Sequence, residues 1–335
     1  MYVKILILSA TYLVLNFATM NAQNQPYLLD IQLQNYDYGF PSKILEIETQ
    51  EQNLEMSYMY IKPDNFNGKH IMLLHGKNFN GAYWKTTIQA LTKKGFAVLV
   101  PDQIGFGKSS KPLHFQYTFQ ELAKNTKLIL DHENIDKVSV LGHSMGGMLA
   151  TRFTLMYPET VDKFILENPI GLEDWKVKVP YKPVDFWYEY ELKANYVTLK
   201  NYQKEHYYDN HWKAEYDEWV NILAGWTLNS QYPIIAWNNA LTFDMIFTQP
   251  VVYEFSNIKH KTLLIIGTRD RTALGSFLVS DEVAQTMGRY DLLGKATQKL
   301  ITNCELIEIK NVGHLPHIEA FDQFINPLVK FIERD

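Results

Sequence analysis

A G-x-S-x-G motif at residues 142–146 constrains this chain more than any other feature, because of what flanks it. Residues 138–141 form a short apolar run that predicts a buried strand, and an apolar helical pattern follows the motif. Where a strand passes directly into a helix, Ser144 lies on a turn so tight that its Oγ is exposed at the end of a sheet. Gly142 and Gly146 flank the serine, where a Cβ would collide with the neighbouring strand and helix. The motif therefore predicts a nucleophile elbow, followed by a helix whose first N–H groups point at the serine.

Strands and helices alternate along most of the chain. The apolar runs that predict buried strands are residues 71–74, 96–100, 138–141, 163–167, 262–266 and 305–309. Residues 43–61 predict an edge hairpin, and helical patterns occupy residues 83–93, residues 118–132 after a capping box at Thr118, and a C-terminal helix from about Ile318. Strands that are apolar on both faces and alternate with helices predict a parallel sheet covered on both sides.

Residues 171–254 interrupt this alternation with an all-helical segment. The helical patterns there cover residues 184–197, 214–224 and 234–246. The segment holds six of the seven tryptophans of the chain, namely Trp175, Trp187, Trp212, Trp219, Trp226 and Trp237. An all-helical insertion between two halves of a parallel sheet predicts a cap over the carboxyl edge of the strands, where α/β sheets bind ligands. Any one of these aromatic residues is typical of a core, but together they predict an apolar, water-poor pocket beneath the cap.

The first 22 residues have the three regions of a secretory signal peptide. Lys4 supplies the positive region, residues 5–17 the apolar region, and residues 18–22 a small-residue region with cleavage after Ala22. The apolar region is shorter than the about 20 residues that a membrane-spanning helix needs. An uncleaved anchor is the alternative, since Met20 is not the small residue typical of its position. We expect an exported protein, periplasmic or extracellular, with no stable membrane insertion after cleavage.

The composition is that of an ordinary globular chain. Apolar residues make up 46% and charged residues 21% of the 335 residues, which is enough apolar material for a sizeable core. The net charge of −5 offers no basic surface, so nucleic acid is not an expected partner. The single cysteine cannot form a disulfide within this chain. We expect a first core part at residues 23–170, the cap at 171–254 and a second core part at 255–335, whereas the oligomeric state is left open.

Two late loops supply partners for Ser144. A serine nucleophile needs a base that takes its proton and an acid that orients the base. His314 follows the last predicted strand, after a glycine that lets the loop bend back over the sheet, and Asp270 follows the strand before it. The order Ser144, Asp270, His314 is the one that this architecture uses. His317 as the base, and Glu167 as the acid at the end of an earlier strand, are the alternatives.

The oxyanion of an acyl-transfer intermediate needs two hydrogen-bond donors. The sequence offers the backbone N–H of Met145, directly after the nucleophile, and that of Lys77, in the loop after His75. Only the backbone of Lys77 is needed for this purpose. Its ammonium is expected in solvent, where at the mouth of the pocket it could attract an acidic substrate.

Three further polar residues at strand ends are expected to be structural. His75 and His143 are expected to satisfy backbone groups of neighbouring loops, which is the commoner role of a lone histidine. Asp102 opens a glycine-rich loop at residues 102–107, and its carboxylate is expected to accept hydrogen bonds from the N–H groups of that turn. The expected chemistry uses no metal and no organic cofactor.

The joint set of motifs resembles the α/β-hydrolase superfamily over nearly all of residues 67–335. The motifs that carry the resemblance are the His-Gly loop at 75–76, residues 102–109, residues 142–147, residues 267–270 and Gly313-His314. The resemblance implies an eight-stranded, mostly parallel sheet with helices on both faces and a helical cap after the sixth strand. It is greatest for cap-bearing serine hydrolases: esterases, meta-cleavage-product C–C hydrolases and haloperoxidase-like proteins. Haloalkane dehalogenases and epoxide hydrolases fit poorly because they have aspartate where this chain has Ser144, and proline iminopeptidases because they usually have tryptophan at Met145.

These features predict an exported, cofactor-independent serine hydrolase that acts on a small or medium apolar carboxylic ester. Hydrolysis of a C–C bond or an amide is the first alternative, and a catalytically silent binding protein is the second. A C–C hydrolase must hold a substrate carboxylate, usually with an arginine close to the serine. Arg152 lies about two helical turns beyond Ser144, and residues 171–254 contain no arginine. The ester is therefore the favoured substrate class.

Overall fold

A computed structural model describes residues 26–334, so the predicted signal peptide lies outside the described residues. Within them, eight strands form one sheet in the order β1-β2-β4-β3-β5-β6-β7-β8. The strands are β1 Ser42–Thr49, β2 Gln52–Ile61, β3 His70–Leu74, β4 Ala97–Pro101, β5 Val138–His143, β6 Val161–Glu167, β7 Thr262–Gly267 and β8 Cys304–Ile309. This sheet confirms the predicted α/β fold.

The sheet is parallel except at one edge. Strands β3 to β8 pair in parallel, whereas β2 runs antiparallel to both β1 and β4. Alternate residues of β3 enter different cores: Met72 and Leu74 pack in one, and Ile71 and Leu73 in the other. A strand with apolar side chains on both faces is stable only when both faces are covered, and here helices cover both.

The helices are α1 Lys85–Lys93, α2 Phe119–His132, α3 Met145–Met156, α4 Val184–Glu191, α5 Tyr196–Tyr202, α6 Asp217–Thr227, α7 Tyr232–Thr248, α8 Asp281–Ala284, α9 Tyr290–Leu300, α10 Pro316–Glu319 and α11 Phe321–Glu333. Side chains of α2 and α3 belong to one core, and those of α1 and α11 to the other. The side chain of Thr118 accepts a hydrogen bond from the N–H of Glu121 at 2.9 Å, as its capping position predicts. None of the helices within residues 26–334 has both the length and the apolar character needed to cross a membrane.

Helices α4 to α7 lie between β6 and β7, in the segment predicted as a cap. The ring of Trp187 on α4 stacks on that of Phe243 on α7, with centroids 4.5 Å apart and planes at 16°. The single helix predicted at 184–197 is wrong, because the chain ends α4 at Glu191 and starts α5 after Asn195. Asn195 caps α5 through a capping box with Thr198, a local signal that favours a new helix start.

Some elements were not predicted. Helices α8 and α9 lie between β7 and β8, where the sequence pattern was not assigned, and a π-helical turn at Gln203–Tyr207 continues α5. Single π-helical turns are uncommon and occur frequently at functional sites. The turn ends at Tyr207.

The segment before β1 crosses the predicted cap. Trp226 donates its indole N–H to the carbonyl of Asp30 at 3.1 Å, and the amide of Asn229 donates to the carbonyl of Leu29 at 2.9 Å. Farther along, the Tyr38 hydroxyl donates to the Asp102 carboxylate at 2.9 Å. This segment therefore links the helices above the sheet to a loop of the core.

Candidate active site

The turn at Ser144 has the geometry of a nucleophile elbow. Ser144 has φ of 56° and ψ of −123°, a strained conformation that a non-glycine residue adopts only when its surroundings force it. A Cβ at Gly142 would lie 2.1 Å from the carbonyl oxygen of Gly146, and one at Gly146 would lie 2.2 Å from that of Leu74. Both contacts are with backbone atoms, which cannot move aside. Glycine is therefore required on both sides of the serine.

His314 and Asp270 form a fully buried pair beside this turn. Nδ1 of His314 lies 2.6 Å from Oδ2 of Asp270, and both side chains are 0% exposed. The carboxylate also accepts the amide of Asn168 and the N–H of Thr272, each at 2.8 Å. A carboxylate bound to Nδ1 holds the proton there, which leaves the lone pair of the neutral ring on Nε2.

The Nε2 atom of His314 makes no hydrogen bond with any described residue, Ser144 included. In an unliganded serine hydrolase the bond between nucleophile and base is often long and tightens when substrate binds. The base loop nevertheless lies against the elbow, because His143 donates its Nε2–H to the carbonyl of His314 at 2.8 Å. Nε2 is thus a buried acceptor with a free lone pair, as a general base requires.

The two predicted oxyanion donors are also free. Within residues 26–334 neither the backbone N–H of Lys77 nor that of Met145 donates a hydrogen bond. The loop of Lys77 passes close to the serine, since a Cβ at Gly76 would lie 3.0 Å from Cβ of Ser144. Two unpartnered N–H groups beside a nucleophile fit the demand of an oxyanion.

The side chain of Lys77 does not lie in solvent, so that expectation is wrong. Its ammonium is 3.3 Å from a carboxylate oxygen of Glu191 on α4 and 3.7 Å from the ring centroid of Phe243 on α7. Burial lowers the pKa of Lys77, and Glu191 opposes that shift. The helices above the sheet cover this lysine, which the local sequence could not indicate.

The alternative acid, Glu167, is bound to the alternative base. One carboxylate oxygen of Glu167 accepts both the backbone N–H and the Nδ1–H of His317, each at 2.8 Å. The His317 ring stacks on Trp84 with centroids 4.3 Å apart. The geometry therefore favours Asp270 over Glu167 as the partner of His314, and it places His317 in a separate pair.

The histidines at the ends of β3 and β5 have the expected structural roles. Nδ1 of His75 donates to the carbonyl of Gly76 at 2.9 Å, and its Nε2 accepts the N–H of Gln103 at 3.1 Å. In His143, whose Nε2–H is donated to His314, Nδ1 accepts the hydroxyl of Tyr83 at 3.0 Å. Burial above all lowers the pKa of both rings, that of His143 well below its ordinary value. Both imidazoles are therefore neutral and have a structural role, in which their hydrogen bonds hold the neighbouring loops.

Asp102 fixes its loop as predicted. Its carboxylate accepts the N–H of Gly81 at 2.7 Å and that of Lys108 at 2.8 Å. A Cβ at Gly107 would lie 2.1 Å from the same carboxylate, so the turn closes around it only with glycine there. The Asp102 carboxylate thus stabilises this loop through the hydrogen bonds that it accepts.

Asn168 was missed by the sequence analysis. It follows β6 with a positive φ of 35°, and its amide donates to Asp270 while its carbonyl oxygen accepts the N–H of Gly267 at 2.7 Å. This one side chain holds the acid and the end of β7 in place. Its position directly after a buried strand was the only signal that could have found it.

A cavity of about 320 Å³ lies among the helices above the sheet. The aromatic residues in its walls include Trp187, Tyr190, Tyr202, Trp226, Tyr232 and Phe243. Polar side chains enter it from Asn78, Glu191 and Asn239. Ser144 and His314 do not line the cavity, and Asn78, one residue after the oxyanion donor Lys77, connects the two regions. Such a lining suits an apolar ligand held by a few polar contacts.

Arginine is absent from the described residues that line this cavity. Arg152 forms an ion pair with Glu254. Of the two arginines that flank Asp270, Arg269 pairs with Glu319 and Arg271 lies 3.4 Å from a carboxylate oxygen of Asp291. Each of these three guanidinium groups thus already has a carboxylate partner. In the described part of the chain, no cluster of three or more His, Cys, Asp or Glu side chains is arranged as a metal site.

Comparisons with known proteins agree with this architecture. A family model described as the alpha/beta hydrolase fold matches residues 69–321. A solved structure from Pseudomonas aeruginosa PAO1, described as a probable hydrolytic enzyme, is 43% identical with a TM-score of 0.90. That match covers 92% of this chain and 99% of the Pseudomonas chain.

Characterised relatives are more distant and differ in chemistry. Lipase 1 of Psychrobacter immobilis is 24% identical over 303 residues, which is 84% of this chain and 85% of the lipase. A 2-hydroxy-6-oxononadienedioate/2-hydroxy-6-oxononatrienedioate hydrolase of Comamonas testosteroni is 28% identical over 218 residues, 61% of this chain and 72% of that protein. Three uncharacterised proteins of Mycobacterium bovis and Mycobacterium tuberculosis are 33% identical over 105 residues, and the chain spans only 30% of their length.

Proposed function

The chain belongs to the α/β-hydrolase fold family, and on that premise we propose that it is a serine hydrolase that cleaves a small or medium apolar carboxylic ester. The observation that carries the proposal is the buried His314–Asp270 pair at 2.6 Å, with a free Nε2 beside the strained elbow of Ser144. A binding protein has no need to keep a strained serine and a buried histidine–carboxylate pair together. Strain of this kind persists only where the surrounding structure enforces it.

The mechanism we propose has two half-reactions. Ser144 Oγ attacks the ester carbonyl while Nε2 of His314 takes its proton, and the oxyanion accepts the N–H groups of Lys77 and Met145. Collapse of this intermediate breaks the bond to the alcohol, which leaves with the proton from His314. Water then attacks the acyl-enzyme by the same route and releases the acid and free Ser144. Throughout, Asp270 stabilises the imidazolium and fixes the tautomer.

The cavity above the sheet supports the proposed substrate class. Its aromatic walls favour an apolar acyl or alcohol group, and we propose that residues 171–254 act as the cap that forms them. The alternative is C–C bond hydrolysis, because the similar Comamonas protein is a 2-hydroxy-6-oxononadienedioate/2-hydroxy-6-oxononatrienedioate hydrolase. That alternative is disfavoured because the nearby arginines are engaged in ion pairs and the buried ammonium of Lys77 is paired with Glu191. A lysine also lacks the bidentate fork that fixes a carboxylate.

We further propose that the protein acts outside the cytoplasm. The support is the sequence of residues 1–22, with its positive, apolar and small-residue regions. The proposed location is independent of the proposed chemistry.

The experiment compares two substrate panels with the purified mature protein. We expect measurable kcat/KM on short to medium p-nitrophenyl esters and little on vinylogous 1,5-diketo acids. Ser144→Ala, which keeps the fold, is the background control. A higher kcat/KM on the diketo acids than on the esters would favour C–C bond hydrolysis. No Ser144-dependent turnover on either panel would reject both ester and C–C bond hydrolysis.

A further inference from the structure

Tyr207, the last residue of the π-helical turn at Gln203–Tyr207, lies against the proposed general base. Its ring and the imidazole of His314 are stacked, with centroids 4.7 Å apart and planes at 25°. The ring of His143 also lies 4.7 Å from the His314 imidazole, with planes at 56°. Tyr207 and His314 are both buried. The imidazole thus contacts two rings, one from the core and one from the predicted cap.

The backbone of Tyr207 reaches the same loop. Its carbonyl oxygen accepts the backbone N–H of His314 at 2.8 Å. A Cβ at Gly313 would lie 2.0 Å from that oxygen, so the base loop comes this close only with glycine before the histidine. The glycine that precedes His314 therefore serves a contact with Tyr207 as well as the bend of the loop.

The hydroxyl of Tyr207 contacts the opposite side of the site. It accepts a hydrogen bond from the amide of Asn78 at 2.8 Å, and Asn78 directly follows Lys77, whose N–H is a proposed oxyanion donor. One residue therefore touches the base through its ring and backbone, and the oxyanion loop through its hydroxyl.

Arg269 links this turn to the two loops that carry Asp270 and His314. Arg269 donates to the carbonyl of Tyr208 at 3.3 Å and also pairs with Glu319. The carboxylate of Glu319 in turn accepts the N–H of Gly313 at 2.7 Å. These bonds join the turn, the loop that carries Asp270 and the loop that carries His314 into one unit.

We infer that Tyr207 is a positioning residue, which sets the orientation of the His314 imidazole for proton transfer from Ser144. The inference rests on the proposed function. Proton transfer is sensitive to geometry, and a misplacement of about 1 Å can cost about 100-fold in rate. Tyr202 and His206, from α5 and the same turn, line the cavity, so this segment contacts both the cavity and the proposed base.

The test separates a loss in kcat from a loss in KM. Tyr207→Leu removes the flat ring, and we expect kcat on p-nitrophenyl esters to fall about 10- to 100-fold while KM changes little. Tyr207→Phe keeps the ring and the carbonyl and should recover most of that loss. Phe277→Leu is the matched control, because Phe277 lines the cavity and is 56% exposed. We expect this variant to raise KM and to leave kcat nearly unchanged.

A fluorophosphonate probe gives a second readout, because its reaction with serine needs the base but not the ester pocket. We expect the labelling rate of Tyr207→Leu to fall in parallel with its kcat. If Tyr207→Leu does not fold, Tyr207→Met places a flexible, unbranched side chain without a ring in the same space and carries the same expectation. Labelling and kcat within threefold of wild type, or equal kcat losses in Tyr207→Leu and Tyr207→Phe, would overturn the inference. Failure of the wild-type chain to label would instead reject the proposed function.

Discussion

Glu167 and His317 form a second buried histidine–carboxylate pair, 2.8 Å apart, close to the His314–Asp270 pair. The His143 ring lies between them, with centroids 4.7 Å from His314 and 5.3 Å from His317. The two pairs contain the same chemical groups but differ in position. Only His314 follows the last strand directly, in a loop that returns to the elbow, whereas His317 lies in α10 and packs on Trp84.

The first prediction distinguishes the two carboxylates. Asp270→Asn should cost on the order of 10⁴ in kcat, because the amide favours the wrong tautomer of His314. Glu167→Gln should cost far less, since the Gln carbonyl can still accept the N–H of His317. The measurement is kcat for both variants on one ester. A large loss in Glu167→Gln with a mild one in Asp270→Asn would move the acid to the end of β6.

The second prediction concerns stability and pH. Burial, together with the imidazoles of His314 and His317, holds the pKa of His143 well below its ordinary value of about 6.5. Below pH 6.5 the unfolded chain takes up a proton at this residue that the folded chain does not. The free energy of unfolding should therefore fall as the pH drops from 7 to 5, by at most about 1.4 kcal/mol per pH unit from this residue.

His143→Gln is the matched variant for that prediction, because its amide can still donate to the carbonyl of His314. Urea unfolding at several pH values should show a weaker decline in acid for this variant than for wild type. An identical decline in both proteins would mean that His143 does not contribute to it. His75, whose pKa is also lowered by burial, should remain a source of decline in both.

The third prediction concerns export. Protein recovered from its native host should lie outside the cytoplasm and begin at or near Gln23, as the cleavage position after Ala22 predicts. N-terminal sequencing of that protein is the measurement. Cytoplasmic protein that retains Met1 would contradict the assignment of residues 1–22.

Much of the fold was predictable because its signals are local. The strands β3 to β7 are apolar on both faces, which identifies a covered parallel sheet, and the glycines at 142 and 146 mark a turn that steric contact enforces. The closeness of Asp270 and His314 was predictable because the carboxyl ends of parallel strands meet at one edge.

The contacts above that edge were not predictable from local patterns. The burial of Lys77 by Glu191 joins residues 114 positions apart, and the backbone bond from His314 to Tyr207 joins the cap segment to the last loop. No periodicity or motif encodes these long-range contacts, because each depends on how the inserted helices pack against the sheet. The cap boundaries and the site roles therefore remain proposals that the variants test.

The most direct test of the account is the turnover of Ser144→Ala. The variant removes only the Oγ atom from the elbow, so its thermal unfolding should match that of wild type while ester hydrolysis falls by as much as about 10⁶-fold, as in comparable triads. Both quantities should be measured on the same preparation, with an ester that the wild-type chain hydrolyses. A folded Ser144→Ala protein with kcat within tenfold of wild type would contradict the central claim that Ser144 is the nucleophile.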